Sequence, residues 1–354
     1  MKEQKRNKMR KIKTALLSYG MSGKLFHAPF LSFHNGFELI GSWERTYKKI
    51  QQDYPDAKSY ENLEEVLNSD VDLIIVNTPV ATHFDYAKQA LLAGKHILVE
   101  KAFTTTVAEA EELQAIAEAK KLKLAVFHNR RWDSDFKTVK HILDKAILGE
   151  IVEAAIHFDR YNPNLSLKHH KETTNSGAGI LKDLGPHSID QAISLFGFPE
   201  ALNADIRITR DHSLVDDNFD ILLYYPRFRV RLKAGFFVRE ALPAYILHGK
   251  KGSFLKSRGD IQEDELKLGK KPNRKDWGTE PEYKSGLLHT EVSSEVIREM
   301  VPTLKGNYLE FFDGLYEAVA NGKTEPVTAE DGKNVMRIIE ASIKSNKERK
   351  VVRF

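Results

Sequence analysis

Residues 12 to 24 read Ile12-Lys13-Thr14-Ala15-Leu16-Leu17-Ser18-Tyr19-Gly20-Met21-Ser22-Gly23-Lys24, and this stretch decides the fold. The mostly apolar run Ile12–Ser18 predicts a buried strand, and a helical pattern follows at Ser22–Phe33. In dinucleotide-binding turns, one glycine lets the backbone approach the pyrophosphate and a later one lets the helix pack on the strand. Gly20 and Gly23 are placed for those two tasks. We therefore predict a cofactor-binding turn formed by Ser18, Gly20, Met21, Ser22 and Gly23.

Strand and helix patterns alternate throughout the first third of the chain. Further strands are predicted at Phe37–Trp43, Val71–Asn77, His96–Glu100 and Lys123–Phe127. Further helices are predicted at Thr82–Ala93 and Thr106–Lys120. Such alternation indicates right-handed crossovers and a parallel sheet. We predict a Rossmann domain at residues 1–129, with residues 1–11 as a disordered tail.

The pattern changes after Phe127 to consecutive strands with short turns. Strands are predicted at Ile151–Phe158, Ala201–Thr209, Phe219–Tyr225, Phe228–Phe237 and Tyr245–His248, and helices at Ser134–Leu148, Pro186–Phe196, Asn307–Ala320 and Ala329–Ser345. Residues 130–354 are therefore predicted to form an α+β domain with a large, mainly antiparallel open sheet, which makes the whole chain an α/β protein. The aperiodic stretch Gly259–Gly286 is expected to be a surface excursion. An open sheet face also predicts a homodimer or homotetramer.

Composition excludes several classes of function. Lys and Arg number 54 against 50 Asp and Glu, and the excess lies in the first thirteen residues, so we expect no nucleic-acid binding. The absence of cysteine excludes disulfides, zinc–thiolate sites and thiol catalysis, and we predict no metal site. No apolar run is long enough to span a membrane, and no secretory signal pattern follows the basic start. We expect a cytoplasmic protein with no membrane partner.

The residues after the second predicted strand bear on cofactor choice. Glu44 is suited to accept hydrogen bonds from a free ribose 2′-hydroxyl, which is typical of NAD binding. Arg45 and Thr46 are suited to a 2′-phosphate, which is typical of NADP binding. The sequence therefore leaves the choice between NAD and NADP open.

Ligands of open parallel sheets bind beyond the carboxyl ends of the strands. Asn77, Thr78 and Pro79 follow one strand, and Glu100 and Lys101 follow the next. Lys101 ends an apolar run where a nicotinamide would lie, and Glu100 is suited to pair with its ammonium group.

A second constellation contains Asp183 and His187. An Asp four residues before a His would orient the imidazole and raise its basicity, as removal of a hydroxyl proton requires. The alternative is an Asp that caps a helix next to a buried structural His. A third cluster supplies Asn129, Arg131 and Trp132 for a polyhydroxylated ring, or else forms an ion-paired hinge. His157, Arg160 and Tyr161 are expected to line the same cleft from the second sheet.

These motifs together resemble the Gfo/Idh/MocA oxidoreductase family from about Lys13 to the C-terminus. The resemblance also rests on Thr82-His83, on Ala93 to Lys101 and on Asp183 to Asp190. Tyr19 to Pro29 and Phe127 to Phe136 are similar to a branch that contains NADP-dependent scyllo-inositol dehydrogenases. The resemblance implies that Lys101, Asp183 and His187 form the catalytic trio, with His187 as the acid/base, and that His83 belongs to the cofactor site.

Two positions depart from the family pattern. Ser18 replaces the first fingerprint glycine, which should restrict the turn. Ala102 follows Lys101 where the family has proline, and because a cis bond before a non-proline residue is costly, we expect a trans or strained Lys101–Ala102 bond and a shifted Lys101.

The predicted function is NAD(P)-dependent hydride transfer to or from a hydroxyl-bearing carbon of a sugar or cyclic polyol such as inositol. One alternative is a dinucleotide-sensing regulator without turnover, against which the proton-transfer trio argues. Another is an S-adenosylmethionine-dependent methyltransferase, against which the last parallel strand, at Lys123–Phe127, and Lys101 argue.

Overall fold

The computed structural model describes residues 10–46, 48–166, 172–173, 177–272 and 275–354. Its first sheet has six parallel strands in the order β3-β2-β1-β4-β5-β6. They are β1 (Ile12–Leu16), β2 (Phe37–Trp43), β3 (Lys58–Tyr60), β4 (Leu73–Val76), β5 (His96–Val99) and β6 (Leu124–Val126). A π-helical turn at Gly23–His27 precedes the helices α1 (Ala28–Phe33), α2 (Ile50–Asp53), α3 (Leu63–Leu67), α4 (His83–Leu92) and α5 (Val107–Ala119). The predicted Rossmann sheet is confirmed.

The predicted tail lies mostly outside the described residues, which begin at Arg10. Of the predicted tail, Arg10 is described and is bound to Asp72 at 2.7 Å. The short strand β3 escaped prediction because three residues are too few to show a period.

The second sheet has nine strands in the order β14-β13-β12-β11-β7-β10-β9-β8-β15, and only its β7–β10 pair is parallel. The strands are β7 (Ile151–His157), β8 (Ala201–Arg207), β9 (Asn218–Tyr224), β10 (Arg229–Gly235), β11 (Tyr245–Gly249), β12 (Gly252–Lys256), β13 (Gly286–Val292), β14 (Glu295–Val301) and β15 (Val352–Arg353). The helices of this half are α6 (Ser134–Asp144), α7 (Ile180–Asp183), α8 (Gly185–Phe196), α9 (Gln262–Lys267), α10 (Leu309–Asn321) and α11 (Ala329–Glu348).

Strand β9 shows why one face of this sheet is covered. Phe219, Ile221 and Leu223 alternate with more accessible residues and are fully buried. This period of two places every second side chain on the same face, where α7, α8 and α11 pack. The predicted α/β class, with its mainly antiparallel second sheet, is confirmed. None of the described helices combines the length and the apolar character needed to cross a bilayer.

The expectation of a surface excursion at Gly259–Gly286 is wrong. Gln262 and Trp277 of this stretch are buried, and the Trp277 ring lies 6.4 Å from that of Phe30 in the core of the first sheet. Gln262 Oε1 accepts hydrogen bonds from Trp277 Nε1 at 3.1 Å and from the Tyr308 amide at 2.8 Å. The segment is held by polar contacts, and such contacts leave no hydrophobic period in a sequence.

Helix α10 also packs against the first half of the chain. Phe312 is fully buried, and its ring is stacked on Phe30 with centroids 5.3 Å apart. The core beneath the six-stranded sheet therefore includes aromatic residues from beyond residue 300. The domain division at residues 129 and 130 stays a prediction.

Replacing Phe312 with alanine is expected to lower the free energy of unfolding by about 3–5 kcal/mol, because a fully buried ring is lost. Urea denaturation measures the change. Tyr283→Ala is the control, since that residue is 80% exposed and its loss should cost less than about 0.5 kcal/mol. Equal effects of the two substitutions would contradict the packing described for α10.

Candidate active site

The turn after β1 closes tightly at Gly23. A Cβ atom there would lie 2.3 Å from the Ser18 carbonyl oxygen, whereas one at Gly20 would meet only Ser18 Oγ at 3.4 Å. The Gly20 amide donates to Ser18 Oγ at 3.2 Å, so serine in place of the usual glycine stabilises the turn. Gly20 and Met21 are exposed, which leaves their backbone open to a ligand.

Asn77 fixes this turn to the end of β4. Its Nδ2 donates to the Ser18 carbonyl oxygen at 2.7 Å and lies 3.4 Å from Ser22 Oγ. Its buried Oδ1 has no hydrogen-bond partner among the described residues. The Asn77 amide therefore holds the turn and offers one acceptor that the protein leaves unsatisfied.

A cavity of about 260 Å³ lies between this turn and the end of β2. Half of the predicted cofactor residues line it, namely Ser18, Gly20, Glu44, Arg45, Thr46, Thr78 and Pro79. Trp43 and Tyr86 also line it, with ring centroids 5.5 Å apart, and were not predicted. A cavity that begins at a glycine turn and ends at polar residues after β2 fits the adenosine half of a dinucleotide.

Glu44 and Arg45 have different surroundings in this cavity. The Glu44 carboxylate accepts hydrogen bonds from the backbone amides of Lys49 at 3.1 Å and Ile50 at 3.0 Å. Arg45 and Thr46 are exposed. Both Glu44 oxygens are therefore used at the start of α2, and the guanidinium group of Arg45 is accessible from the cavity.

His83 lies outside the lining of this cavity. Its ring nitrogens are 2.8 Å from the Thr78 carbonyl oxygen and 2.9 Å from the Ala102 carbonyl oxygen. Burial lowers the pKa of His83, although the carbonyl oxygens oppose that effect. His83 thus joins the segment after β4 to the segment after β5.

Lys101 lies at the carboxyl end of β5 and contacts Asp183. Its Nζ donates to the Asp183 carbonyl oxygen at 2.8 Å and to Asp183 Oδ1 at 3.0 Å. The predicted pairing of Glu100 with the Lys101 ammonium group is replaced by another contact, because His27 Nε2 lies 2.8 Å from Glu100 Oε1. Burial disfavours the Glu100 carboxylate, but the hydrogen bond and charge of His27 outweigh it, so the pKa of Glu100 is lowered.

The expectation of a trans bond between Lys101 and Ala102 is wrong, because the bond is cis. The Ala102 methyl group is buried, and its carbonyl oxygen faces His83. His83 belongs to α4, which is distant in sequence. A comparison of alanine with proline at position 102 alone therefore could not reveal this contact.

His187 is buried beside Lys101, in the first turn of α8. Burial, followed by the positive charges of Lys101 and Arg130, lowers the pKa of His187 well below its ordinary value of 6.5. Its Nδ1 has no hydrogen-bond partner in the described part of the chain, so Asp183 does not hold that atom as expected. The imidazole is neutral at physiological pH, and Asp183 positions Lys101.

The residues of the third predicted cluster have different surroundings in the structure. Arg131 binds Asp190 through two nitrogens, at 2.7 and 3.0 Å, and also contacts Asp331 at 3.3 Å. Trp132 packs on Phe311 with ring centroids 5.3 Å apart. Asn129 is buried, and Tyr161 is 45% exposed. The hinge alternative describes Arg131 and Trp132 better than a sugar site does.

Three arginines lie near His187, and of these Arg258 escaped prediction. Arg130, Arg160 and Arg258 all approach the Phe158 ring, which lies beside His187. Arg258 borders the aperiodic stretch, where no sequence signal marks a site. Within the described ranges, no group of three or more His, Asp or Glu residues is placed to hold a metal ion.

Two family models match the chain. One describes the NAD-binding Rossmann fold of an oxidoreductase family named GFO_IDH_MocA and covers residues 12–128. The other describes the C-terminal alpha/beta domain of the same family and covers residues 140–354.

Individual proteins are also similar. The scyllo-inositol 2-dehydrogenase (NADP(+)) IolW of Bacillus subtilis is 37% identical over 98% of this chain and 97% of its own. Glucose-6-phosphate 3-dehydrogenase of the same species is 28% identical over 55% of this chain and 59% of its own. The solved structure of the oxidoreductase yvaA from Bacillus subtilis is 36% identical, with a TM-score of 0.95 over 99% of this chain and 100% of that one.

Exchanging Gly23 for alanine is expected to lower the free energy of unfolding of the ligand-free protein by about 1–3 kcal/mol, because the methyl group overlaps the Ser18 carbonyl oxygen. Gly20→Ala should leave that free energy unchanged and weaken only nucleotide binding. Urea denaturation and a fluorescence titration with NADPH separate the two effects. If both variants unfold like the wild type, the described turn is incorrect.

Proposed function

Because this chain belongs to the Gfo/Idh/MocA oxidoreductase family, we propose that it is an NAD(P)-dependent dehydrogenase acting on a hydroxyl-bearing carbon of a sugar or cyclic polyol. The observation that carries the proposal is the group formed by Lys101, Asp183 and His187. It contains a neutral base, a cation and a carboxylate that holds the cation. A regulator that only senses a dinucleotide does not need this set.

The cofactor site fits the pyrophosphate and the adenosine half of a dinucleotide. The turn at Gly20 leaves its backbone open, and the cavity continues to Arg45. When bound, the nicotinamide supplies acceptance or donation of the hydride. The protein residues then have to bind and orient the substrate and move one proton.

His187 removes the hydroxyl proton in the oxidation direction. A neutral imidazole has a free lone pair, which a protonated one lacks. Lys101 donates a hydrogen bond to the same oxygen and stabilises its negative charge as the proton leaves. Asp183 is a positioning residue, because it fixes the Lys101 ammonium group through two acceptors. In the reduction direction the same groups work in reverse.

The rate should depend on pH in a way that follows from the lowered pKa of His187. Only the neutral ring accepts a proton, so kcat/KM for oxidation should fall only when the pH drops well below 6.5. His187→Gln should lower kcat by about 10²–10⁴-fold and abolish this acidic limb.

Steady-state rates between pH 5 and 9 with polyol substrates test this prediction. His248→Gln is the control, since His248 is exposed and bonds only Ser253. Full activity of the His187 variant, or an acidic limb centred at 6.5 or above, would exclude His187 as the base.

We further propose that NADP is preferred, which is supported by the use of both Glu44 oxygens at the start of α2. With that carboxylate engaged, Arg45 is the residue available to a 2′-phosphate. Arg45→Gln should lower kcat/KM with NADPH by about 10- to 100-fold, the loss of a charge-assisted hydrogen bond. The rate with NADH should be unchanged, which makes NADH the internal control. An equal fall with both nucleotides would assign Arg45 a structural role instead.

A further inference from the structure

Three guanidinium groups converge on one aromatic ring beside the proposed base. The Cζ atoms of Arg258, Arg160 and Arg130 lie 4.0, 5.3 and 5.4 Å from the centroid of the Phe158 ring. The His187 ring is stacked on Phe158 with centroids 6.2 Å apart. Phe158 therefore brings three positive charges close to the place where chemistry is proposed.

These charges are not equally balanced by carboxylates. Arg130 is paired with Glu263 at 2.8 Å and Asp133 at 3.3 Å. Arg258 donates to the Tyr245 hydroxyl at 3.4 Å and to the His157 carbonyl oxygen at 3.3 Å, and it forms no ion pair with a described residue. Its Nε is buried and has no hydrogen-bond partner in the described part of the chain.

Arg160 is the least satisfied of the three. It follows β7, is accessible to solvent, and forms no hydrogen bond or ion pair with the side chains that the structure describes. Partial burial, followed by the charge of Arg130, lowers the pKa of Arg160, and the negative charges of Asp183 and Glu263 oppose that effect only in part. The cleft thus contains a guanidinium group that no described side chain holds by a hydrogen bond or an ion pair.

Other cations of the cleft do not share this property. The Lys101 ammonium group is held by Asp183, and Arg131 is held by Asp190. Arg160 therefore differs from Lys101 and Arg131 in that its guanidinium group lies against an aromatic ring and none of its donors bonds a described side chain. A guanidinium group binds carboxylate and phosphate through two parallel hydrogen bonds, whereas a hydroxyl group gives it no charge to neutralise.

We propose that the substrate carries an anionic group, a carboxylate or a phosphate, which binds Arg160 while its hydroxyl-bearing carbon lies at His187. Arg258, behind the Phe158 ring, strengthens the positive potential at this position. The inference rests on the proposed dehydrogenase function and narrows its substrate class from sugars and polyols to their anionic derivatives.

Binding of simple anions tests the site without turnover. Enzyme saturated with NADPH, so that the cofactor's own phosphate contacts are filled, is titrated calorimetrically with inorganic phosphate and, separately, with acetate in a low-salt buffer. The wild type should bind at least one of them. Arg160→Gln should weaken that binding about tenfold or more, and Arg160→Lys should weaken it less.

Arg227→Gln is the matched control, because it removes the same charge from a residue that is 80% exposed and bound only to Glu150. Its anion affinity should equal that of the wild type. If neither anion binds, or if the Arg160 and Arg227 variants bind alike, the anionic subsite does not exist.

Steady-state kinetics with matched substrates then distinguishes a phosphate from a carboxylate. The same measurements test the anionic subsite separately from the proposed dehydrogenase function. Glucose, glucose 6-phosphate and gluconate are compared, with scyllo-inositol as a neutral cyclitol. An anionic member should have the highest kcat/KM in the wild type, and Arg160→Gln should remove that advantage mainly through KM. If neutral polyols are turned over at least as efficiently as the anionic substrates, and Arg160→Gln leaves all of these rates unchanged, the inference is overturned and the proposed function stands. Anion binding without any turnover that depends on His187 would overturn the proposed function instead.

Discussion

The contact between the Lys101 ammonium group and Asp183 joins the carboxyl end of β5 to the short helix before α8. Two acceptors of one residue hold the ammonium group, so its position is set before any substrate arrives. The neighbouring Glu100 is held in turn by His27, and α8 brings His187 to the same place. The proposed reaction centre therefore lies at the seam between the six-stranded and the nine-stranded sheets, where each sheet supplies part of it.

A buried imidazole next to several cations is the electrostatic consequence of this arrangement. The positive charges that make protonation of His187 unfavourable would also favour negative charge on a substrate oxygen. The same residues thus keep the base free and stabilise the group that it deprotonates. The cost is an excess of positive charge in the cleft, concentrated around the ring of Phe158.

Local signals explain what the sequence predicted. The cofactor turn and the parallel sheet are encoded within a few residues, as glycine spacing and as alternating apolar runs. Asp183 and His187 were found, but their pairing was wrong, because Asp183 lies in α7, ahead of the helix that carries His187, and faces β5. Arg131 and Trp132 have suitable chemistry for a sugar, yet Asp190 and Phe311, which engage them, are distant in sequence. No spacing rule reveals such partners, and for the same reason Arg258 gave no signal.

The segment from Gly259 to Gly286 has a consequence for how such a protein evolves. Gln262 and Trp277 complete the core beneath the first sheet, and Arg258, directly before the segment, reaches the cleft. An insertion or deletion there would disturb a core and a binding surface together, so selection tolerates few changes of length. The Arg160 side chain, just after β7, lies against the Phe158 ring and forms no hydrogen bond or ion pair with the described residues, so its replacement should leave the core intact. If Arg160 recognises the substrate as proposed, single substitutions after β7 would change the substrate range while the scaffold stays in place.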